Sequence, residues 1–377
     1  MTAGQVDRAE VPQLVVLPNW RAEVADIART LRDAERTGPI SMAVLGRSRA
    51  MALSTIGRLG DAALLVSDLG TTRAERLLRR TWSPKAVLRL WWNYADEVLE
   101  HQADAANGQE VAVSFFDDVG DELGRAGVDV VVVPYAFTAT TPVERTTELT
   151  IGYTGEVDVS ETCFAPAGPK AAVELSERAW SEARDVVTGR RSLVEVDVGL
   201  DAPGSAPLPI AQRTMLWAVR NRVRFLLVEQ VAAAHPAHLN LRGNDWRVAG
   251  FEASRTTFRR RVRMQDYRTH RVSLDLGSKS THAALYPRTA DIMAVGGGLV
   301  QMASGGPPPS WSETLGARRA GSGDALLALV DRLLSASADA VAAESAEIQR
   351  DYAAVRTAAG RLLLETAARC RDHEDQH

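Results

Sequence analysis

The sequence predicts an α/β protein of two domains, each built on a parallel sheet. Short apolar runs alternate with stretches of helical periodicity along most of the chain, as parallel strands joined by crossover helices require. Some of these runs, such as VDVVVVP at 128–134, are almost unbroken, which fits strands covered on both faces. The alternation comes as two series separated by a polar, Thr-rich, Pro-interrupted stretch, Thr138–Glu148. A chain of 377 residues also has the length for two cores.

In the first series the expected strands are Leu14–Leu17, Ser41–Leu45, Ala63–Val66, Ala86–Leu90, Glu110–Phe115 and Val128–Val133. Helices lie between them, among them Arg21–Glu35 and Arg73–Arg80. Thr138–Glu148 reads as the interdomain linker. The second series opens with strand Leu149–Tyr153, helix Lys170–Thr188 and strand Leu193–Val198, then a Pro/Gly/Ser loop at 202–209. Helix Ile210–Ala234, strands His238–Leu241 and Arg271–Leu276, helix Tyr286–Val295 and strand Leu299–Met302 follow. Two long helices, Asp324–Leu334 and the alanine-rich Ala336–Arg371, close the chain. The expected organisation is therefore residues 1–140, 149–335 and a C-terminal helical segment, 336–377.

Composition narrows the function. Apolar residues make up 45% and charged residues 24%, with a net charge of −4, so nucleic acid is not an expected partner. The only lysines are Lys85, Lys170 and Lys279. Cys163 and Cys370 are too few for a disulfide framework and suit a reducing cytoplasm. The polar N-terminus has no signal-peptide core, and no apolar run approaches the ~20 residues of a membrane span. A cytoplasmic protein is expected. Arg255–Arg271 holds seven arginines and reads first as a solvated helix face, with anion binding as the alternative.

Tyr267–Gln301 carries the most chemistry. A strand leads through a Gly/Ser/Lys loop to an Arg-led helix, a glycine triplet and another strand. Strand ends facing helix N-termini favour anions. Arg288 and Asp291 lie three apart on one helical face, a cation for phosphate and a carboxylate for sugar hydroxyls; an intrahelical ion pair is the alternative. Pro287 fits a first helical turn. Gly296, Gly297 and Gly298 would let backbone approach a ligand. Lys279 and Ser280 are phosphate candidates, as are Ser278 and Thr281; for the three hydroxyls a helix cap is the alternative. Tyr286 could stack on a base or sugar, with a half-buried structural tyrosine as the alternative, and His282 lies inside the same loop. Gly243–Trp246 follows a strand, so its backbone could meet a nucleobase edge with Trp246 as a wall; a turn before a core tryptophan is the alternative. Asp117 and Asp118 follow an apolar strand, where active-site groups gather; a helix cap is the alternative.

The block Arg213–Gln301 resembles the C-terminal domain of GT-B glycosyltransferases, most closely the spore-maturation-type and family-4 group. The resemblance rests on Arg220-Asn221-Arg222, Gly243-Asn244-Asp245-Trp246, Tyr267 with Arg271–Asp275, and Arg288–Ile292 running into Gly296–Val300. Asp275 stands where that group has Asn, and Asp291 where it has Glu. The resemblance implies two Rossmann-like domains facing across a cleft and metal-independent sugar transfer from a nucleotide-sugar donor to an acceptor hydroxyl or amine. It also implies a last helix returning across the junction. The donor is then a substrate, and no cofactor is expected. Donor-binding residues would be Gly243, Trp246, Asp275, Lys279, Ser280, Tyr286, Arg288, Asp291 and Gly296–Gly298. Fixed cations would stabilise the leaving diphosphate. Asp117, Asp118 and His282 are the candidates for the catalytic base. The acceptor and the oligomeric state are not legible. Alternatives of the same fold are a sugar-nucleotide epimerase and an inactive nucleotide-sugar-binding protein. Asp68–Thr72 and Asp275–Thr281 also resemble the phosphate loops of actin-like kinases, but only about fifteen residues separate the second from the glycine triplet, too few for that fold.

Overall fold

A computed structural model of the chain describes residues 13–16, 26–27, 29–31, 33, 41–44, 64–68, 86–91, 110–115, 117–125, 130–144, 146–196, 210–254, 260–277, 285–303 and 310–372. The chain divides into two compact units, 1–139 with 356–377, and 140–355.

The first unit holds a six-stranded, wholly parallel sheet. Its strands are β1 (Gln13–Val16), β2 (Ser41–Val44), β3 (Leu64–Asp68), β4 (Ala86–Trp91) and β5 (Glu110–Ser114). Helix α1 (Asp117–Arg125) connects β5 to β6 (Val130–Val132). The order is β2-β1-β3-β4-β5-β6. All six expected strands are present, displaced by a residue or two at their ends. One expectation is corrected. The valine run at 128–134 is not a strand covered on both faces: β6 is the sheet's edge and is half-buried. Its neighbours supply the core instead, with Phe115, Tyr135 and Phe137 meeting edge to face at 5.2–5.7 Å, an arrangement favoured by the ring quadrupoles. Expected helix Arg73–Arg80 lies outside the described residues.

The second unit repeats the plan with five parallel strands. In chain order it contains β7 (Ile151–Thr154), α2 (Pro169–Val187), α3 (Ile210–Ala234), β8 (Leu239–Arg242), α4 (Arg260–Thr269) and β9 (Val272–Asp275). These are followed by α5 (Pro287–Ala294), β10 (Leu299–Met302), α6 (Glu313–Gly316), β11 (Arg319–Ala320), α7 (Gly323–Ser335) and the start of α8 (Ala338–Asp372), whose residues from 356 onward belong to the first unit. The order is β11-β10-β9-β7-β8. The central strands β7, β9 and β10 are buried at every position, as both faces of a helix-covered sheet must be. α7 is capped by Ser322, whose Oγ accepts from the Ala325 N–H at 3.2 Å.

The expected strand Leu193–Val198 is not formed at 193–196, where residues 193–195 make a turn and bend instead. Glu195 Oε2 accepts from the Ser192 N–H at 2.8 Å and from its hydroxyl at 2.9 Å. Such local bonding competes with a strand ladder. Leu193 and Val196, three apart, are the buried pair, so the segment has turn spacing rather than the alternation of a strand.

Residues 140–148 lie on the second unit. The Thr141 N–H donates to Ala294 O at 2.9 Å, and the Thr146 hydroxyl donates to Arg268 O at 2.9 Å. The glycine triplet sits beside them. It links the end of α5 to the start of β10, so it lies at the N-terminal edge of the sheet, opposite the first turn of α5. A Cβ on Gly296 would meet Val143 at 2.4 Å, and one on Gly298 would meet Arg271 O at 2.0 Å. The close approach these glycines allow is to the protein's own chain, and the structure does not bring them together with Arg288. Gly298→Ala is expected to cost about 1–3 kcal/mol, because the obstacle is backbone and cannot rotate away. A urea midpoint equal to wild type would contradict this packing.

His270 joins α4 to β9. Its Nδ1 lies 3.1 Å from Thr150 Oγ1, and its ring covers Gly152 so closely that a Cβ there would stand 2.1 Å from Cδ2. Burial first, then the charge of Arg242, push its pKa from 6.5 down to about 4. The native state therefore favours the neutral ring. This stability is fully present above the unfolded value and is lost as pH falls from about 6.5 toward 4, up to about 3 kcal/mol in all. His270→Gln should flatten stability against pH across that window, as read by urea unfolding at a series of pH values.

Candidate functional site

The strand order of the second unit reverses between β7 and β9. From β7 the chain goes through α2 and α3 to β8 on one side; from β9 it goes through α5 to β10 on the other. Open α/β sheets bind ligands beyond the C-terminal ends of strands at such a reversal. Tyr153 and Thr154 end β7, and Asp275 ends β9.

Asp275 is wholly buried. Its Oδ1 accepts from the Tyr286 hydroxyl and from the Gly277 N–H at 3.2 Å. Its Oδ2 accepts from Thr289 Oγ1 at 2.5 Å and Gln301 Nε2 at 2.9 Å. Gly277 has φ +82°, a conformation glycine reaches without strain, and this turns its N–H back onto the carboxylate. One side chain thus ties the first turn of α5 to β9 and β10. Asp275 was expected to bind the donor; the structure places it beneath the site as its internal anchor.

Arg288, the second residue of α5, stands over that anchor. Its Nη1 lies 3.9 Å from Asp275 Oδ1 and 3.4 Å from each of the Tyr153 and Tyr286 hydroxyl oxygens. Its guanidinium sits 5.0 Å from the Tyr153 ring centroid and 5.8 Å from that of Tyr286, both within cation–π range. Pro287 opens the helix and Tyr286 is its extended N-cap, so Arg288 is fixed at the positive end of the helix. Its side chain is 16% exposed. Burial pushes its pKa down, but the oxygens of Tyr153, Tyr267 and Asp275 outweigh that and leave it raised.

A second cation, not singled out from the sequence, comes from α3. Arg224 is buried, and its Nη2 donates to Gly277 O. Its Nε and Nη1 are buried and have no hydrogen-bond partner among the described residues. Burial lowers its pKa; Tyr153 opposes this, Arg288 adds to it, and Asp275 and Glu156 oppose it. The signal in the sequence was a charged residue inside the apolar run VRFLLVEQV. Sequence reasoning also missed Tyr153, Thr289 and Gln301.

Trp246 is wholly buried, and its indole N–H donates to Gly155 O at 2.7 Å. A Cβ on Gly243 would stand 1.8 Å from that oxygen, and one on Gly155 would stand 2.7 Å from Arg288 Nη2. The two glycines let the loops after β7 and β8 close on each other beside Arg288, with the Trp246 indole tied to the first of them. Asp291 is also buried and lies 4.0 Å from Arg263 Nη2. Burial raises the pKa of the neighbouring Tyr267 phenol. The arginine-rich stretch is therefore not simply a solvated face. Arg263 meets Asp291, Arg268 pairs with Glu144, and Arg271 donates to Ala336 O at 2.8 Å.

The structure thus brings together Asp275, Tyr286 and Arg288, with Gly243 and Trp246 on the adjoining loop and Asp291 one turn further along α5. Gly296–Gly298 are at the other edge of the sheet. Asp117 and Asp118 are the first two residues of α1, in the first unit. Lys279, Ser280 and His282 lie outside the described residues.

No protein-family model and no curated protein matches the chain. Among solved structures it is similar to T4 phage BGT in complex with UDP and Mn2+, at 8% identity over 97% of this chain and 99% of that one, with a TM-score of 0.44. It is also similar to an alpha,alpha-trehalose-phosphate synthase (UDP-forming) from Burkholderia vietnamiensis, at 11% identity over 97% and 99%, with a TM-score of 0.48. Among the described residues, no helix is long and apolar enough to cross a membrane.

Proposed function

We propose that the second unit binds the diphosphate of a nucleotide sugar, and that the chain is a GT-B-type glycosyltransferase moving the sugar to an acceptor hydroxyl or amine. The observation that carries this reading is Arg288. It is a permanent cation at a helix N-terminus, at the sheet's reversal point, clamped by two tyrosines and still partly open. When a glycosyl–phosphate bond breaks, negative charge grows on the departing phosphate. A fixed guanidinium that need not reorganise stabilises that charge most effectively. In this reading Arg288 and Arg224 supply the positive charge, without a metal ion.

The first experiment is a thermal-shift panel of nucleoside diphosphates, followed by incubation with the matching nucleotide sugars. Stabilisation by at least one diphosphate, and its release from the donor, are expected. Isomerisation of the donor without release would instead identify an epimerase, and absence of any diphosphate binding would remove the reading. We further propose that Asp117 or Asp118 takes the acceptor's proton. The Asn variant at the true base should lower turnover by about 100-fold or more while diphosphate affinity stays at the wild-type value.

A further inference from the structure

Charge is unevenly divided at the β7/β9 reversal. Arg224 and Arg288 share a single wholly buried carboxylate, Asp275. Around them Glu156 and Arg319 add one charge of each sign, as do Asp291 and Arg263. Among the described residues, one positive charge is left over. Arg224 is 2% exposed, so it is kept from water, and its Nε and Nη1 lack partners among the described residues. A buried, incompletely compensated cation destabilises a fold, so its retention calls for a compensating role.

From this we infer that Arg224 is an electrostatic positioning residue: it neutralises Asp275 from below, frees the charge of Arg288 for the ligand, and makes the site select diphosphates over monophosphates. This rests on the reading of the site as a diphosphate site. Arg288, being partly open, makes the contact, while Arg224 acts through the field. A ligand carrying more charge gains more from that field, so the preference scales with the number of phosphates.

The test compares the full chain with Arg224→Met and Arg224→Lys. The probes are inorganic pyrophosphate, inorganic phosphate, and the best nucleoside diphosphate with its monophosphate. Arg224→Met should weaken pyrophosphate binding on the order of tenfold and phosphate binding less. The diphosphate-to-monophosphate preference should shrink, the dependence of affinity on salt should flatten, and Arg224→Lys should restore both. Without ligand the Met variant should melt a few degrees higher. Lower stability with unchanged selectivity would make Arg224 purely structural and overturn the inference. A Met variant that binds the nucleoside diphosphate as the wild type does would also overturn it, while leaving the proposed function standing. Pyrophosphate binding that depends on Arg224, with no added affinity for any nucleotide, would support the inference and remove the nucleotide-sugar reading.

Discussion

Arg288→Ala should abolish thermal stabilisation by nucleoside diphosphates and lower their affinity by about 100-fold or more, while the protein stays folded. The loss follows from chemistry, since one or two charge-assisted hydrogen bonds to phosphate contribute about 1.5–3 kcal/mol each. The survival of the fold follows from charge. Without Arg288, the buried Asp275 carboxylate keeps Arg224 and its four neutral donors, so no ion is stranded. Arg288→Lys should rescue little. A lysine keeps the charge but not the planar guanidinium held against the Tyr153 and Tyr286 rings, and the two cations differ most where stacking and bidentate contact matter. Isothermal titration with the best diphosphate decides it: wild-type affinity in the Ala variant would place the ligand elsewhere.

The parts of this architecture that can be read from the sequence are those with a long helical stretch or a compact apolar run. Helix α3 has its expected bounds, Ile210–Ala234, because twenty-five residues of unbroken helical pattern leave little freedom at the ends. Strand β10 also has its expected bounds, Leu299–Met302. The segment 193–196 was misread because its apolar residues are equally consistent with a turn, and the Ser192–Glu195 bonds decide between the two. The glycine triplet carries a usable signal in its place along the chain. A helix-to-strand connection lies at the N-terminal edge of a parallel sheet, away from ligands, whereas strand-to-helix connections lie on the binding side. Applied to Gly296–Gly298, that rule assigns them to packing against Arg271 and Val143. Arg224 is harder. Nothing local separates it from Arg220 or Arg222, which α3 also buries. Only the sheet order reveals which of the three reaches the reversal point.

The anchor beneath the site is the more destructive target. Asp275→Asn is expected to cost more than about 4 kcal/mol in the second unit, a large share of the 5–15 kcal/mol of a typical domain. The amide keeps the shape but replaces one carboxylate oxygen by NH2, so either Tyr286 and Gly277 at Oδ1 or Thr289 and Gln301 at Oδ2 lose their acceptor. Each buried donor left unpaired costs about 1–3 kcal/mol. The charge balance worsens as well, because Arg224 and Arg288, which repel each other, then lack the Asp275 carboxylate, and breaking a buried pair costs about 3–5 kcal/mol. The two penalties can be separated. Adding Arg224→Met removes one guanidinium and restores the wild-type net charge, so the double variant should regain the electrostatic part and keep the hydrogen-bond part. A double-mutant cycle in urea should therefore show a favourable coupling of about 1–3 kcal/mol between the two substitutions. Strictly additive effects would mean that Arg224 and Asp275 do not feel each other, and the electrostatic account of the site would fail with them.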